Sequence, residues 1–583
     1  MVFLTEERRG ARPLARFLPT GVAPNWADAV ALVLMATAIV LIAHGATQMV
    51  RPIADLNTSA AIRLDPARLP EYALRTTLRM FAALGASLLF TFVVATAAAK
   101  SRKAEMLIVP ALDVLQSVPV LGFLTFTVTF FLGLFPGSQL GAECASIFAI
   151  FTAQAWNMAF SFYQSLKTIP GDLNEVSRGF NLSAWRRFVR LELPFATPAL
   201  VWNMMMSMSG AWFFVVASEA ITVGNTTITL PGIGSWIALA VEHKDLKAVA
   251  WAVGVMGVVI LLYDQLVFRP IVAWADKFRF EQTASENQPR SWIYDLVRRT
   301  RIIRQIVAPL SWPARLLKLI DARPPAIRLK LPPAAPVWID RAWAVLVAAL
   351  VIAGVTFIAR FISTRFGVGD IVHVFFVGGL TLARVLVLII LASLIWVPIG
   401  VWIGLNPAWA ERLQPVAQFL AAFPANVLFP GAVMLIVAWN LDPNIWLSPL
   451  MVLGTQWYIL FNVIAGAAAL PTDMKEAAGL FGLRGWQWWR SFVLPAIFPY
   501  YVTGAITASG GSWNAAIVAE YVSWGKTHVE ALGLGSYIAD ATAAGDFSRV
   551  ALGVVVMSLF VIAFNRTLWR PMFRFAERRL RID

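Results

Sequence analysis

Residues 172–198 read DLNEVSRGFNLSAWRRFVRLELPFATP, and residues 473–499 read DMKEAAGLFGLRGWQWWRSFVLPAIFP. Laid in register without a gap, Asp172 falls on Asp473, Glu175 on Glu476, Trp185 on Trp486, Leu193-Pro194 on Leu494-Pro495 and Pro198 on Pro499. Both are charged segments set in apolar sequence. The duplication provides the frame for the rest of the chain.

Of 583 residues, 59% are hydrophobic and 14% charged, against roughly a quarter charged in a soluble domain. Apolar runs of about 20 residues, long enough to cross a bilayer as a helix, recur along the chain. The fold class read from this is an all-α polytopic membrane protein, with about 12 transmembrane helices as two parallel six-helix repeats. The net charge of +15 does not imply nucleic acid, because Arg and Lys gather between certain helices as in cytosolic loops. One cysteine, Cys144, excludes an internal disulfide, and four scattered histidines lack ligand spacing, so no metal site is expected.

Residues 1–24 are an Arg-rich tail expected in the cytosol. Ala27 to Val50 is expected to be an anchor that stays, since the apolar core of a signal peptide is nearer ~7–15 residues. The first half is placed at 25–280, with further helices near 72–99, 105–135, 142–168, 196–222 and 246–272. Residues 281–340 are basic and Pro-rich, read as a cytosolic linker whose amphipathic pieces lie on anionic lipid. The pattern then restarts at 341–583, with helices near 341–360, 372–404, 413–440, 446–469, 497–521 and 546–570. Pro110 and Pro119 match Pro415 and Pro424, where a break leaves backbone groups that neighbouring helices must satisfy. Trp212 and Glu219 match Trp513 and Glu520, and Gly232-Ile233-Gly234-Ser235 matches Gly533-Leu534-Gly535-Ser536. Such a parallel repeat implies a pseudo-two-fold axis along the membrane normal, with a pathway between the halves.

Each twin segment opens Asp-x-x-Glu after a proline, which predicts a helix capped by Asp172 or Asp473, with Glu175 or Glu476 reaching back to the cap. The short helix is expected to end near Gly179 in one copy and Gly482 in the other. Aromatic and basic residues follow, a composition suited to the headgroup region, and Leu-Pro is expected to bend the chain into the next membrane helix.

Glu476-Ala477-Ala478, Gly482 and Leu494-Pro495 resemble the "EAA" loop in membrane subunits of ATP-binding-cassette importers. The resemblance covers nearly the whole chain, as two permease domains fused in tandem. The first copy departs from it, with Val176-Ser177 for the two alanines and Asn181 for the motif's Gly, while the spacing from Glu175 to Pro194 is intact. The resemblance implies coupling helices built from Asp172, Glu175, Gly179, Asn181 and Pro194 and from Asp473, Glu476, Ala477, Ala478, Gly482 and Pro495. These would dock two ATPase subunits on the cytosolic side. It also implies that ATP and Mg are bound by those partners, with no cofactor and no catalytic residue here. A periplasmic solute-binding protein, a bacterial inner membrane with its lipid and cytosolic termini complete the expectation. Residues 218–237, SEAITVGNTTITLPGIGSWI, and 519–538, AEYVSWGKTHVEALGLGSYI, are most similar to importers of the nitrate/sulfonate/taurine type, which implies a small anionic solute.

Gly525-Lys526-Thr527 imitates the end of a phosphate-binding loop, but Glu520 stands where that loop needs glycine. Candidates for lining a polar path are Gln154, Asn157, Gln456 and Asn462 in the fourth helices, and Asn203, Ser207, Trp212, Ser509, Trp513 and Asn514 in the fifth. The alternative for each polar one is an interhelical hydrogen bond of about 1 kcal/mol. Glu219 and Glu520 are read as structural pairs with a loop donor, with a pathway role as the alternative. An ion- or proton-coupled secondary transporter with six-plus-six repeats competes with the importer reading, and would call for a mid-membrane relay of ionisable groups.

Overall fold

The computed structural model describes residues 26–49, 62–116, 118–136, 138–223, 226–278, 291–300, 335–470, 472–525 and 527–579. The expected tail 1–24 and most of the linker 281–340 lie outside the described residues. The first half comprises α1 (Trp26–Met49), α2 (Leu69–Lys100), α3 (Arg102–Leu115), α4 (Val120–Leu134), α5 (Gln139–Lys167), the short α6 (Gly171–Gly179) and the long α7 (Ala184–Glu219). A hairpin of β1 (Ala220–Val223) and β2 (Thr226–Thr229), then α8 (Ile233–Glu242) and α9 (Leu246–Phe278), complete it. After α10 (Trp292–Arg299) the order repeats: α11 (Ala335–Arg365), α12 (Val368–Leu405), α13 (Pro407–Ala422), α14 (Ala425–Ala438), α15 (Pro443–Leu453), α16 (Gln456–Ala468), α17 (Thr472–Leu480) and α18 (Gly485–Ala519). The hairpin β3 (Tyr521–Trp524) and β4 (Thr527–Glu530), α19 (Leu534–Ala543) and α20 (Phe547–Ala576) follow.

Among the described residues, seven helices are long and apolar enough to cross a membrane, or up to nine if two bent pairs each count as one span. The bent pairs are the Pro415–Ala422 part of α13 with α14, at 76°, and α15 with α16, at 44°. Outside that count stands α5, which has 29 residues but carries Glu143, Gln154 and Asn157 along its length. It can hold Glu143 and Gln154 because both are buried within its own half. The single helix expected at 446–469 is thus two pieces meeting at Gly454-Thr455, and the one at 105–135 is interrupted before α4.

Proline explains two kinds of irregularity. Pro119 and Pro424 precede α4 and α14 with extended backbone (ψ 121° and 108°), because proline removes a donor and clashes with the preceding turn. The Leu-Pro pairs behave differently from expectation. They do not bend the chain into a new helix, since α7 runs unbroken for 36 residues and α18 for 35. A π turn at Phe188–Glu192 precedes Pro194, and one at Trp489–Val493 precedes Pro495. The same device stands before Pro270 and Pro571, at Asp264–Phe268 and Asn565–Trp569. Widening the turn gives each proline ring room without breaking the helix.

The helices expected to continue to 222 and 521 instead end at Glu219 and Ala519. The next residues are largely β-branched in the first copy (Ile221, Thr222, Val223) and aromatic or β-branched in the second (Tyr521, Val522, Trp524), and they pair as antiparallel hairpins, Ala220 opposite Thr229 and Tyr521 opposite Glu530. Gly525, at φ +61°, follows β3 directly, and Thr527 already opens β4 opposite Trp524, so these two residues belong to a hairpin.

The halves interlock through their broken helices. Ala422 and Val427 of the second half are buried in the core of the first, while Leu121, Phe213 and Val241 of the first pack against the core of the second. Of the linker, α10 packs by one face on the first half: Leu296 is buried with Ala27 and Ala31 of α1, and the Lys277 ammonium sits 5.1 Å from the Tyr294 ring. By contrast the apolar span of α11 buries nothing and is held at its ends. The Trp343 indole donates to the Lys103 carbonyl (3.0 Å), and Arg365 donates to Ser548 (2.6 Å).

Close helix approach inside the second half depends on Gly504, where a Cβ would lie 2.7 Å from the Tyr458 carbonyl oxygen. Gly504→Val should lower stability by roughly 1–3 kcal/mol through overpacking, read as an earlier thermal transition in detergent. Gly510→Ala, which meets open space, should leave the transition in place.

Candidate functional site

The twin short helices α6 and α17 are exposed on most of their surface. Asp172 and Asp473 are not their caps. Pro170, with extended backbone (φ −53°, ψ 142°), stands at the cap, and each Asp is the second helical residue. From there it still faces the positive end of the helix dipole. Glu175 and Glu476, fifth in their helices, do not reach back but point to solvent. The terminator in the first copy is Asn181 and not Gly179, which is the last helical residue. Asn181 (φ +49°) and Gly482 (φ +64°) occupy matching left-handed positions. Past each, the Leu182 and Leu483 amides donate to Ser177 and Ala478 carbonyls (3.2 and 3.1 Å), closing the same C-terminal motif twice. Asn tolerates this conformation better than most residues other than Gly, which is how the first copy does without the motif's Gly. Ser177 and Ala478 are the buried contacts of the two helices. Phe180 is 75% exposed, Phe481 82% and Leu480 89%.

From these helices α7 and α18 run about 50 Å at 1.5 Å per residue to the hairpins at the opposite end. Between the halves, the break at Pro119 frees the Val120 amide, which donates to Asn514 Oδ1 on α18 (2.7 Å). On the other side, Asn426 just past Pro424 donates to the Phe213 carbonyl on α7 (3.1 Å). Phe213 and Asn514 are matching repeat positions, so each broken helix meets the long helix of the opposite half at the same level. Below, Met205, Ser209, Tyr263, Pro415, Gln418 and Phe419 help line a cavity of about 310 Å³ between the halves.

The path candidates separate. Asn514 takes part in the contact between halves. Gln154 is buried within the first half beside Ser87 and Met80. Asn203 donates to Ser161 (2.8 Å), Gln456 accepts from the Trp396 indole (2.8 Å), and Asn462 donates to the Tyr458 carbonyl (2.8 Å). Asn157 is exposed, Ser207 and Ser509 are buried, and Trp212 and Trp513 pack on Tyr263 and Phe560.

Glu219 and Glu520 are buried at the hairpin ends of α7 and α18, and each is clamped by the same set of groups. Glu219 accepts from Thr76 (2.6 Å), Arg79 (2.7 Å) and the Gly234 amide (2.6 Å). Glu520 accepts from Thr381 (2.9 Å), Arg384 (2.9 Å) and the Gly535 amide (2.7 Å). Gly234 and Gly535 are required by the approach: a Cβ there would lie 2.2 and 2.3 Å from the Val216 and Ala516 carbonyl oxygens. The first clamp has a second carboxylate, Glu143, on Arg79; in the other, Arg384 reaches Asn444 (3.2 Å) and the Leu532 carbonyl (3.0 Å). The sequence reading found both Glu residues and their glycines but missed Thr76, Arg79, Glu143, Thr381 and Arg384. The signal was there: Thr-x-x-Arg recurs in the same register as the matched prolines.

The geometry defines a tandem-duplicated, multi-pass helical membrane protein with an interface between its halves. A family model described as "binding-protein-dependent transport system inner membrane component" matches residues 87–269 and again 396–580. The chain belongs to that family, a family of ATP-binding-cassette transporter permeases, as two domains in one polypeptide. It is similar to the nitrate import permease protein NrtB of Leptolyngbya laminosa, 27% identical over 185 residues, covering 32% of this chain and 63% of the relative. It is also similar to the bicarbonate transport system permease protein CmpB of Synechococcus elongatus, 28% identical over 176 residues, covering 30% of this chain and 60% of the relative. The glycine betaine/proline betaine transport system permease protein ProW of Escherichia coli is 24% identical over 186 residues, covering 32% of this chain and 49% of the relative. The chain thus spans less than two thirds of the length of each of these relatives.

Arg79→Met strands two buried carboxylates and Arg384→Met strands one. Breaking a buried pair costs about 3–5 kcal/mol, so Arg79→Met should abolish recovery of folded protein in detergent. Arg384→Met should lower the unfolding temperature with protein still recovered, as followed by size-exclusion chromatography and thermal melts.

Proposed function

We propose that this chain forms the transmembrane pathway of an ATP-driven, binding-protein-dependent importer of a small inorganic oxyanion, of the nitrate or bicarbonate kind. Two ATPase subunits dock on α6 and α17 from the cytosol and bind the ATP and Mg. A solute-binding protein delivers the anion at the hairpin face, which is periplasmic in a bacterial inner membrane. The single observation behind this reading is the pair of exposed short helices in matching halves of a permease family. Each is closed by the same motif and presents an aromatic tip, Phe180 or Phe481, to solvent. Exposed apolar groups rimmed by charge mark interaction surfaces. The relatives named for nitrate and bicarbonate support the solute class.

In physical terms the ATPases bias a two-state arrangement of the halves by contacting its states unequally. Force applied at α6 and α17 passes along α7 and α18. These helices meet the opposite half at Phe213 and Asn514, where a change of packing opens or closes the space between halves. No residue of this chain performs covalent chemistry in this scheme.

Glu476→Lys and Phe481→Ala should each reduce co-purification of the ATPase subunits and ATP-dependent uptake of labelled nitrate or bicarbonate into vesicles, with the permease still inserted. The matching changes Glu175→Lys and Phe180→Ala should act in the same direction. Wild-type ATPase recovery in all four variants would refute docking at these helices, and uptake of neither anion would refute the solute class.

A further inference from the structure

The two short helices are fastened to the membrane helices in different ways. In the first half, Glu192 is buried in the π turn that opens the membrane part of α7. Its carboxylate lies 2.9 Å from Lys100, the last residue of α2, and 3.1 Å from Arg187. Arg187 in turn donates to Asn174 on α6 (2.9 Å). Lys100 also lies over the Phe188 ring, 5.2 Å from its centre. A polar chain therefore runs from α6 through Arg187 and Glu192 to the end of α2.

Among the described residues, the second half has no counterpart to this chain. In the repeat alignment Asn174 becomes Lys475, Arg187 becomes Trp488, Glu192 becomes Val493 and Lys100 becomes Leu405. Val493 is fully buried, and Leu405, Trp488 and Trp489 pack against the second core. Trp488 meets Trp489 at 5.5 Å and Phe492 at 6.1 Å between ring centres. Where one half uses ions the other uses an aromatic platform.

We infer that Glu192 is a positioning residue that makes α6, the end of α2 and the foot of α7 move as one body, so that the first coupling helix transmits through an ionic relay and the second through packing. This rests on the docking proposed above. Neutralising Glu192 removes the anion that Lys100 and Arg187 share; both cations are about a third exposed, so water takes up their charge and what is lost is the ionic link itself. The ionic tie between α6 and the membrane helices is then lost, with the packing of Ser177 left in place, while the exposed surface at α6, including Glu175 and Phe180 just past its end, is untouched.

The test uses the full chain with its ATPase subunits in lipid nanodiscs, in a Cys144→Ala background. Spin labels at Leu246→Cys and Leu532→Cys, exposed positions at the hairpin ends of the two halves, report the distance between halves before and after trapping with ATP and vanadate. Glu192→Gln should reduce the fraction of molecules that switch about fivefold or more, with the ATPases bound and hydrolysing ATP. Asn174→Ala, on the partly exposed α6, should do the same if Glu192→Gln fails to fold. Wild-type switching in either variant overturns the relay, as does loss of the ATPases from Asn174→Ala, which would make that residue part of the dock. The docking reading is checked separately by Glu476→Lys, Phe481→Ala, Glu175→Lys and Phe180→Ala in the same assay: if the ATPases stay bound and switching is normal in all four, docking itself falls.

Discussion

A carboxylate held out of water at the far end of each long helix is the constraint around which each half is assembled. Glu219 and Glu520 need a cation, a hydroxyl and a backbone amide, and these come from α2 with α8 in one half and α12 with α19 in the other. Burying an ionised group without such partners costs several kcal/mol. Satisfying it fixes where the segment after each hairpin must dock. The glycines of the Gly-x-Gly motif follow, because only a residue without a side chain lets that segment reach the carboxylate.

The same long helices carry the rest of the architecture. At one end they hold the carboxylate clamp, midway they meet the broken helix of the opposite half, and at the other end they are continuous through a π turn with the segment after the short helix. One rigid rod per half thus joins three places that a transport cycle has to coordinate. The proline and π-turn pairing keeps the rod unbroken while widening it at its foot.

Duplication does not mean equivalence. Arg79 serves two carboxylates where Arg384 serves one, Asn181 replaces the glycine used at Gly482, and the ionic set around Glu192 is aromatic and aliphatic in the second half. Fusion of the two domains in one chain removes any requirement that they remain identical. The shared geometry is the part both halves need, and the differences concern how each half is tied to its short helix and to the segment after its hairpin.

Much was legible in the sequence: the membrane class, the tandem repeat, the twin short helices and the paired prolines. All of these follow from apolar run length, proline chemistry and spacing along one chain. Helix continuity through Leu-Pro was not legible, because a π turn is a property of hydrogen-bond register and leaves no composition signal. Nor were the contacts of Glu192 with Lys100 and of Arg187 with Asn174, or the partnership of Thr76 and Arg79 with Glu219. Those residues are separated by up to 143 positions and acquire meaning only when the helices are laid side by side. Local pattern decides which segments become helices and where they may break. Which buried charge finds which partner is settled by packing in three dimensions, since electrostatic pairing depends on distance in space and not along the chain.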